Sequence, residues 1–357
     1  MKRYIFFIGT LRNGGAERVV SVLASQMAEQ GQDVEILMYY DKPVFYELSS
    51  KVKVTAVEKE TGKKGKIQNL CWLRNYFKNN AKVVLSFLAP FNMLAIVSVF
   101  GTKVPMIVAD RNDPTKVPSN ILVRKTRDIL YMFADGVVLQ TEKNKSYFNK
   151  TVQQKSRVIY NPVDMKGYAG AALNAKKEKI IVTAGRLMPQ KNQKLLIKAF
   201  SEISMKYPEY KMIIYGEGPS RTELESFIDE LGMQEKVLLP GNVSDLHERM
   251  KLAELFVMSS DYEGMPNALI EAMCLGLPVI STKVSGTDEL VQKEKNGILV
   301  DCGNEKQLIE AMDELLGHPE KMHLYANENI KLAEKLKTDI IVKQWLYFLD
   351  KVCNKIR

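Results

Sequence analysis

Short, uninterrupted apolar runs recur along this chain. Each is followed by a polar turn and then by apolar residues at helical spacing. Tyr4–Ile8 is the first such run. A loop from Thr10 to Gly15 follows, then Val19, Val20, Leu23 and Met27 on one helical face, then Gly31 and a second run, Val34–Met38. A strand that is apolar without alternation is buried on both faces, the signature of a parallel sheet covered by helices. Strand, loop, helix, strand is a βαβ unit, and its loop lies at the C-terminal end of the strand, where open parallel sheets bind ligands. The pattern continues through Val52–Val57, Val83–Phe87, Met106–Ala109, Gly136–Gln140 and Ser156–Tyr160. It restarts at Ile180–Ala184 and runs through Lys211–Tyr215, Val237–Leu239, Leu255–Met258, Pro278–Ser281 and Gly297–Val300. Helices are expected between these runs, among them Ile67–Asn79, Pro90–Phe100, Arg124–Phe133, Asn192–Tyr207 and Arg221–Leu231.

A chain of 357 residues exceeds one ordinary core. The expected architecture is α/β, with two doubly wound, Rossmann-like domains facing across a cleft. The boundaries read as 1–163 for the first domain, 164–178 for a linker of small residues and 179–339 for the second. The helical C-terminus, from about 340 to 357, is expected to pack back on the first. Cys71, Cys274, Cys302 and Cys353 have no metal or redox spacing and read as reduced thiols of a cytosolic chain. His247, His318 and His323 form no zinc pattern and read as surface residues. No metal and no cofactor are expected. The N-terminal run is too short for a signal peptide, and Val83–Phe100 is broken by Pro90 and Asn92, so no membrane span is expected.

Charge is unevenly placed. Residues 1–170 hold 26 Lys and Arg against 14 Asp and Glu, and the remainder holds 25 against 28. The excess is densest from Lys51 to Lys82. No recognition motif accompanies it, so nucleic-acid binding is not expected. A solvated face is one reading. The other is an anionic membrane surface, met by Lys63, Lys64, Lys66, Arg74 and Lys78 with Trp72, Tyr76 and Phe77 on the same helix.

Three places in the second half carry chemistry. Gly185 and Arg186 close the strand Ile180–Ala184, and Lys191-Asn192 lead into the next helix. A guanidinium and an ammonium beside a helix N-terminus suit a diphosphate, although two solvated cations in a loop would read the same way. Tyr215-Gly216-Glu217-Gly218-Pro219 and Leu239-Pro240-Gly241-Asn242-Val243 are further strand-end glycine turns. The third place is Glu263-Gly264-Met265-Pro266-Asn267-Ala268, a turn into a helix with Asn267 as N-cap, Glu271 one turn in and Gly276 as its stop. Acids repel phosphate, so Glu263 and Glu271 suit sugar hydroxyls, unless they are simply solvated.

Together these motifs resemble the family-4 retaining glycosyltransferases of the GT-B fold. The resemblance rests on Gly185-Arg186 with Lys191-Asn192, Gly216-Glu217-Gly218-Pro219, Pro240-Gly241, the Glu263 and Glu271 pair seven residues apart, and Gly276-x-Pro278-Val279-Ile280. Asn13-Gly14-Gly15-Ala16-Glu17-Arg18 and Asn161-Pro162-Val163-Asp164 extend it over nearly the whole chain. The resemblance implies that Arg186 and Lys191 grip a nucleotide diphosphate and that Glu271 takes the ribose hydroxyls. It gives Glu263 the donor hexose and the positive charge at its anomeric carbon. Gly264, Met265, Pro266, Asn267, Ala268, Glu217 and Gly241 would line the donor site, and Gly15 would meet the diphosphate. Met265 stands where an aromatic is commoner. Many relatives carry a histidine at the end of the strand that here ends in Ala109-Asp110-Arg111, and the first domain has none. Asp110, Arg111, Asn112 and Asn13 are therefore the acceptor candidates.

The implied activity is retaining transfer of a hexose or N-acetylhexosamine, from UDP-sugar or a similar donor, to a hydroxyl of a lipid-linked glycan in surface-polysaccharide assembly. The enzyme is expected in the cytoplasm, on the inner face of the membrane. The alternatives are a sugar-nucleotide epimerase of the same fold and a non-catalytic sugar-nucleotide-binding partner of another transferase. A dehydrogenase is disfavoured because no Gly-x-Gly-x-x-Gly follows a strand.

Overall fold

The computed structural model describes residues 3–62, 65–163 and 168–356. The chain divides into two units, Met1–Asp164 with Lys337–Arg357, and Met165–Leu336.

The first unit holds seven strands: β1 (Arg3–Ile8), β2 (Val34–Met38), β3 (Lys53–Ala56), β4 (Ala81–Phe87), β5 (Met106–Ala109), β6 (Gly136–Leu139) and β7 (Ser156–Val158). They pair in parallel in the order β3-β2-β1-β4-β5-β6-β7. The first strand explains why its residues are apolar without alternation. Phe6 and Ile8 join one hydrophobic core, while Ile5 and Phe7 join another on the opposite face. The C-terminal helix Thr338–Ile356 closes the first of these cores with Ile341, Val342, Trp345 and Leu349. Trp345 stacks on Phe87 at the end of β4, 5.9 Å between ring centroids. Gly136 opens β6 under the same helix, and a Cβ there would meet the Phe348 ring at 2.9 Å.

The second unit holds six strands: β8 (Ile180–Ala184), β9 (Lys211–Tyr215), β10 (Val237–Gly241), β11 (Leu255–Met258), β12 (Val279–Thr282) and β13 (Ile298–Val300). Their order is β10-β9-β8-β11-β12-β13, again parallel. Chain order runs one way from β8 to β10 and the other way from β11 to β13. The topological switch point therefore lies between β8 and β11, where such sheets bind ligands. Ile181 and Val257 face the core beneath helices Gln193–Lys206 and Glu305–Gly317, and Val182 and Phe256 on the other face are equally buried.

Helix Asn267–Leu275, which follows β11, is buried along nearly its whole length. Its N-cap is Pro266, not Asn267, and no side chain caps it, while Gly276 ends it in the left-handed region at φ 84°. Its last carbonyls are met from the stretch expected to be a linker. Gly170 N donates to Cys274 O and Ala172 N to Leu275 O, each at 2.9 Å. Residues 168–173 thus belong to the packing of the second unit, and residues 164–167 lie outside the described residues. The first-unit helix expected at Arg124–Phe133 starts earlier, at Ile121, because the Asn120 side chain accepts from Leu122 N and Val123 N.

Candidate functional site

The switch point of the second unit gathers most of the residues singled out in the sequence. After β8 the chain passes through Gly185, Arg186 and a short turn at Pro189–Lys191. After β11 it passes through Ser259, Ser260 and Asp261 to Glu263. Adjacent strands bring the two loops together, and Lys191 Nζ lies 2.6 Å from Glu263 Oε1. Ser260 Oγ donates to the same carboxylate oxygen at 2.7 Å. Glu263 is 7% exposed and Lys191 half-buried.

Further polar residues hold this pair in place. Asn192 turns the chain at φ 46°, donates to Asp261 Oδ1 at 2.9 Å and caps helix Gln193–Lys206. Gln190 Nε2 donates to Tyr262 O at 2.7 Å. Ser259 Oγ donates to the carbonyls of Lys191 and Asn192 at 3.0 and 2.9 Å. Thr282 Oγ1, at the end of β12, donates to Ser260 O at 2.6 Å. Gln193 Nε2 donates to Arg186 O at 3.0 Å. These bonds tie the loops after β8, β11 and β12 into one rigid edge. The Arg186 side chain remains exposed and, among the described residues, has no side-chain partner.

Glu271 lies one helical turn beyond the Asn267 start and is 3% exposed. His247, on the short helix Leu246–Met250, is half-buried, with Nε2 3.3 Å from Glu271 Oε2. Its ring leans on Tyr168 at 5.3 Å. The expectation that all three histidines are surface residues therefore fails for His247. Burial pushes the neighbouring Cys274 thiol up to about 12, and Glu271 adds to that shift. This cysteine is an unreactive packing residue.

The glycine turns also hold the sheet edge together. Gly185 N donates to Tyr215 O and Gly216 N to Gly241 O, each at 2.9 Å, and Leu187 N donates to Glu217 O at 3.0 Å. The loops after β8, β9 and β10 thus continue the sheet beyond its strands. Gly216, at φ 136°, is required because a Cβ there would lie 2.0 Å from Gly185 O. Glu217 is engaged in a two-pronged ion pair with Arg221, at 2.8 and 2.6 Å. Of the residues around the turn into the helix, Gly264, Met265 and Pro266 are buried, and Asn267 and Ala268 half-buried.

In the first unit the acceptor candidates fare unequally. Asp110, at the end of β5, is 1% exposed and sits in a closed network. Arg127 Nη1 is 3.7 Å away, and Tyr131 Oη donates to Asp110 Oδ2 at 3.1 Å. Burial raises the Asp110 carboxyl above its usual range even though Arg127 opposes the shift. Arg127 itself donates to the carbonyls of Pro114 and Val117. Arg111 is buried against the rings of Phe87 and Trp345 and donates to Asn161 Oδ1 at 2.8 Å. Its Nε and Nη2 have no partner among the described residues, and burial lowers its pKa to about 9. Asp110 and Arg111 are thus both more than nine-tenths buried. Asn112 is half-buried, and exposed Asn13 accepts from Tyr46 Oη at 3.2 Å. Gly15 is exposed at the start of helix Gly15–Glu29.

The basic helix Lys66–Asn80 does not present the expected aromatic face. Phe77 is fully buried, and Trp72 is half-buried and stacked on Tyr76 at 4.6 Å. Tyr76 Oη donates to the buried Glu35 carboxylate at 2.5 Å, and Arg74 Nη1 donates to Phe100 O at 2.6 Å. Lys66 and Lys78 are exposed, and Lys63 and Lys64 lie outside the described residues. Among the described residues no group of three or more His, Cys, Asp or Glu could hold a metal ion. No helix among them is long and apolar enough to cross a membrane.

Comparison with known proteins adds independent findings. Residues 169–332 match the family model of glycosyl transferases group 1. A Campylobacter jejuni GalNAc-alpha-(1->4)-GalNAc-alpha-(1->3)-diNAcBac-PP-undecaprenol alpha-1,4-N-acetyl-D-galactosaminyltransferase is 26% identical over 99% of this chain and 100% of its own length. A second Campylobacter jejuni protein is 28% identical over 94% of this chain and 97% of its own. It is named as an N-acetylgalactosamine-N,N'-diacetylbacillosaminyl-diphospho-undecaprenol 4-alpha-N-acetylgalactosaminyltransferase. Among solved structures, Anabaena HepE in complex with UDP and glucose superposes with a TM-score of 0.85 at 19% identity, over 98% of this chain and all of that one.

Proposed function

For a chain whose residues 169–332 match the group 1 glycosyl transferases, we propose transfer of a hexose or N-acetylhexosamine from a UDP-sugar to a hydroxyl of a lipid-linked glycan, with retention at the anomeric carbon. The observation that carries this reading is the Lys191–Glu263 pair, 2.6 Å apart at the switch point of the second unit's sheet. A cation suited to a phosphate is there held beside an acid suited to a sugar.

In this reading the Lys191 ammonium gives one of its three donors to Glu263 and keeps the others for the diphosphate. Arg186 supplies a second, exposed cation, and the N-terminus of helix Asn267–Leu275, which no side chain caps, adds its positive dipole end. Glu271, steadied by His247, takes the ribose hydroxyls. Glu263 takes hydroxyls of the transferred sugar and opposes the positive charge that grows at its anomeric carbon. The bond from that carbon to the phosphate oxygen breaks, and the phosphate leaves with the electron pair. The acceptor hydroxyl attacks from the same face and gives its proton to the departing phosphate oxygen, so the α configuration is kept. Glu263 forms no bond to the sugar. The bonds around Glu263 support this division of labour, because a site fixed before binding loses little to reorganisation.

The two Campylobacter relatives are named for N-acetylgalactosamine transfer onto undecaprenol-diphosphate-linked glycans, and HepE is described with UDP. These names support a UDP-N-acetylhexosamine donor, a polyprenyl-linked acceptor and work at the inner face of the cytoplasmic membrane. In the first unit, Asn13 and Asn112 are the acceptor candidates left accessible. A thermal-shift panel of UDP-, GDP- and ADP-sugars tests the donor. UDP-sugars should raise the melting temperature, since a ligand that binds only the native state stabilises it. A shift with GDP- or ADP-sugars alone would overturn the choice of base.

A further inference from the structure

The helix Ile121–Tyr131 in the first unit is built inside out. Its inward stripe carries Arg127 and Tyr131, both fully buried. Its outward stripe carries apolar residues. Leu122 is 70% exposed, Ile129 55%, and Phe133, just past the helix end, 53%. These positions are seven and four residues apart, so they share one face along about 16 Å of helix. The burial of Arg127 accounts for the reversal. The guanidinium holds the carbonyls of Pro114 and Val117 and the carboxylates of Asp110 and Asp128, which fixes the turn of the helix. The apolar side chains are left outside.

The stripe is continuous with a second exposed apolar group. Phe133 meets Phe100 edge-on at 5.7 Å, and Phe100, 62% exposed, lies one turn beyond exposed Val97 at the end of helix Ala89–Val99. Single exposed apolar side chains are ordinary, but a contiguous run of them marks a surface that something covers. Most of the charges beside this surface are basic, and exposed Asp135, two residues past Phe133, accepts from Met106 N at 2.8 Å. Lys125 is exposed between Leu122 and Ile129, Arg124 is half-buried beside it, and exposed Lys103 lies three residues past Phe100. The one acid of the helix, Asp128, is tied to Arg127 at 2.7 Å and accepts from Tyr147 Oη at 2.9 Å.

We propose that this face, from Leu122 through Ile129 and Phe133 to Phe100, is where the protein rests on an anionic lipid surface. The apolar side chains would enter the boundary between headgroups and acyl chains, and Lys125, Arg124 and Lys103 would lie among the phosphates. A second copy of the chain fits less well, because a two-fold contact sets the same patch, and so the same cations, against itself. The assignment moves the expected membrane face from helix Lys66–Asn80, whose aromatics are packed inward, to a helix selected by exposure. It deepens the lipid-linked acceptor reading and shares its premise that the enzyme works at a bilayer. Binding to vesicles needs neither donor nor acceptor, so the two can fail separately.

The experiment is co-sedimentation of the whole protein with vesicles of phosphatidylglycerol and phosphatidylcholine, and with phosphatidylcholine alone. The wild type should sediment with the anionic vesicles and less with the neutral ones. The double variant Leu122→Gln/Ile129→Gln should lose about tenfold or more in partitioning. Lys125→Glu should lose less, and the loss should shrink as salt rises. The pair Lys66→Glu/Lys78→Glu should sediment like the wild type. All substituted side chains are exposed, and an unchanged melting temperature would show that the variants fold. Equal sedimentation of the double variant and the wild type would overturn the proposal. So would a wild type that ignores anionic vesicles. A dimer seen by analytical ultracentrifugation without lipid, and abolished by Leu122→Gln/Ile129→Gln, would assign the face to a second copy instead.

Discussion

The two units share a parallel, doubly wound sheet but use the charges at their strand ends in opposite ways. In the second unit Lys191, Glu263, His247 and Glu271 pair at the sheet edge, and Arg186 beside them stays exposed. In the first unit Asp110, Arg127 and Arg111 are sealed inside, and their bonds go to the protein's own carbonyls and side chains. The same residue types at equivalent ends of equivalent sheets thus form the candidate site in one unit and an internal brace in the other. Each pair of the second unit keeps one half-buried partner, Lys191 or His247, whereas Asp110 and Arg127 are both sealed. A charge pair reached by solvent can exchange a partner for a ligand, whereas a sealed one cannot without exposing an uncompensated charge.

The largest expected effect lies on the brace. Arg127→Met leaves Asp110 buried without its nearest cation, and should cost the first unit about 3–5 kcal/mol. Both tryptophans, Trp72 and Trp345, belong to that unit, so denaturant unfolding followed by their fluorescence reports it alone. A loss below about 1 kcal/mol would mean that the brace is not needed.

Next comes the candidate site. Glu263→Gln keeps the shape and removes the charge, and should lower transfer by about a hundredfold or more while the calorimetric melting temperature of the whole protein holds. Near-normal turnover would break the contrast between the units. A smaller effect belongs to His247→Phe, which leaves Glu271 without its imidazole partner. The KM for the donor should rise about tenfold with little change in kcat, as for the loss of a group that only orients another. His247→Asn, which keeps a donor, should recover part of the affinity, and equal losses in the two variants would deny the orienting role.

The smallest effect sharpens the comparison. Arg111 has two guanidinium nitrogens without partners among the described residues. Its replacement by Met should leave stability within about 1 kcal/mol of the wild type, or raise it, because a buried ion replaced by an apolar residue of similar volume removes a desolvation cost. A loss well beyond that range would show that Arg111 carries as much of the brace's stability as Arg127 does.

The strands were legible because parallel strands buried on both faces must be apolar throughout, as Phe6 and Phe7 on opposite faces of β1 show. The members of the site were legible as residue types beside glycine turns. Their pairing was not. Lys191 and Glu263 are 72 positions apart and meet only because β11 lies beside β8. His247 reaches Glu271 through the packing of two helices, which no spacing records. That Ser260 and Asn192 hold Glu263 and Asp261 in place cannot be read from their residue types. The start of the inside-out helix was missed because Ile121-Leu122-Val123 shows no helical period, and its reversed polarity follows from where Arg127 is buried.

The central claim is that the cations of the second unit's sheet edge take the diphosphate. Calorimetric titration of UDP into the wild type, Arg186→Ala, Lys191→Ala and Arg111→Met tests it most directly. The account predicts binding to the wild type and to Arg111→Met with equal affinity, and a loss of about tenfold or more in each of the other two. Unchanged affinity in Arg186→Ala and Lys191→Ala would contradict it.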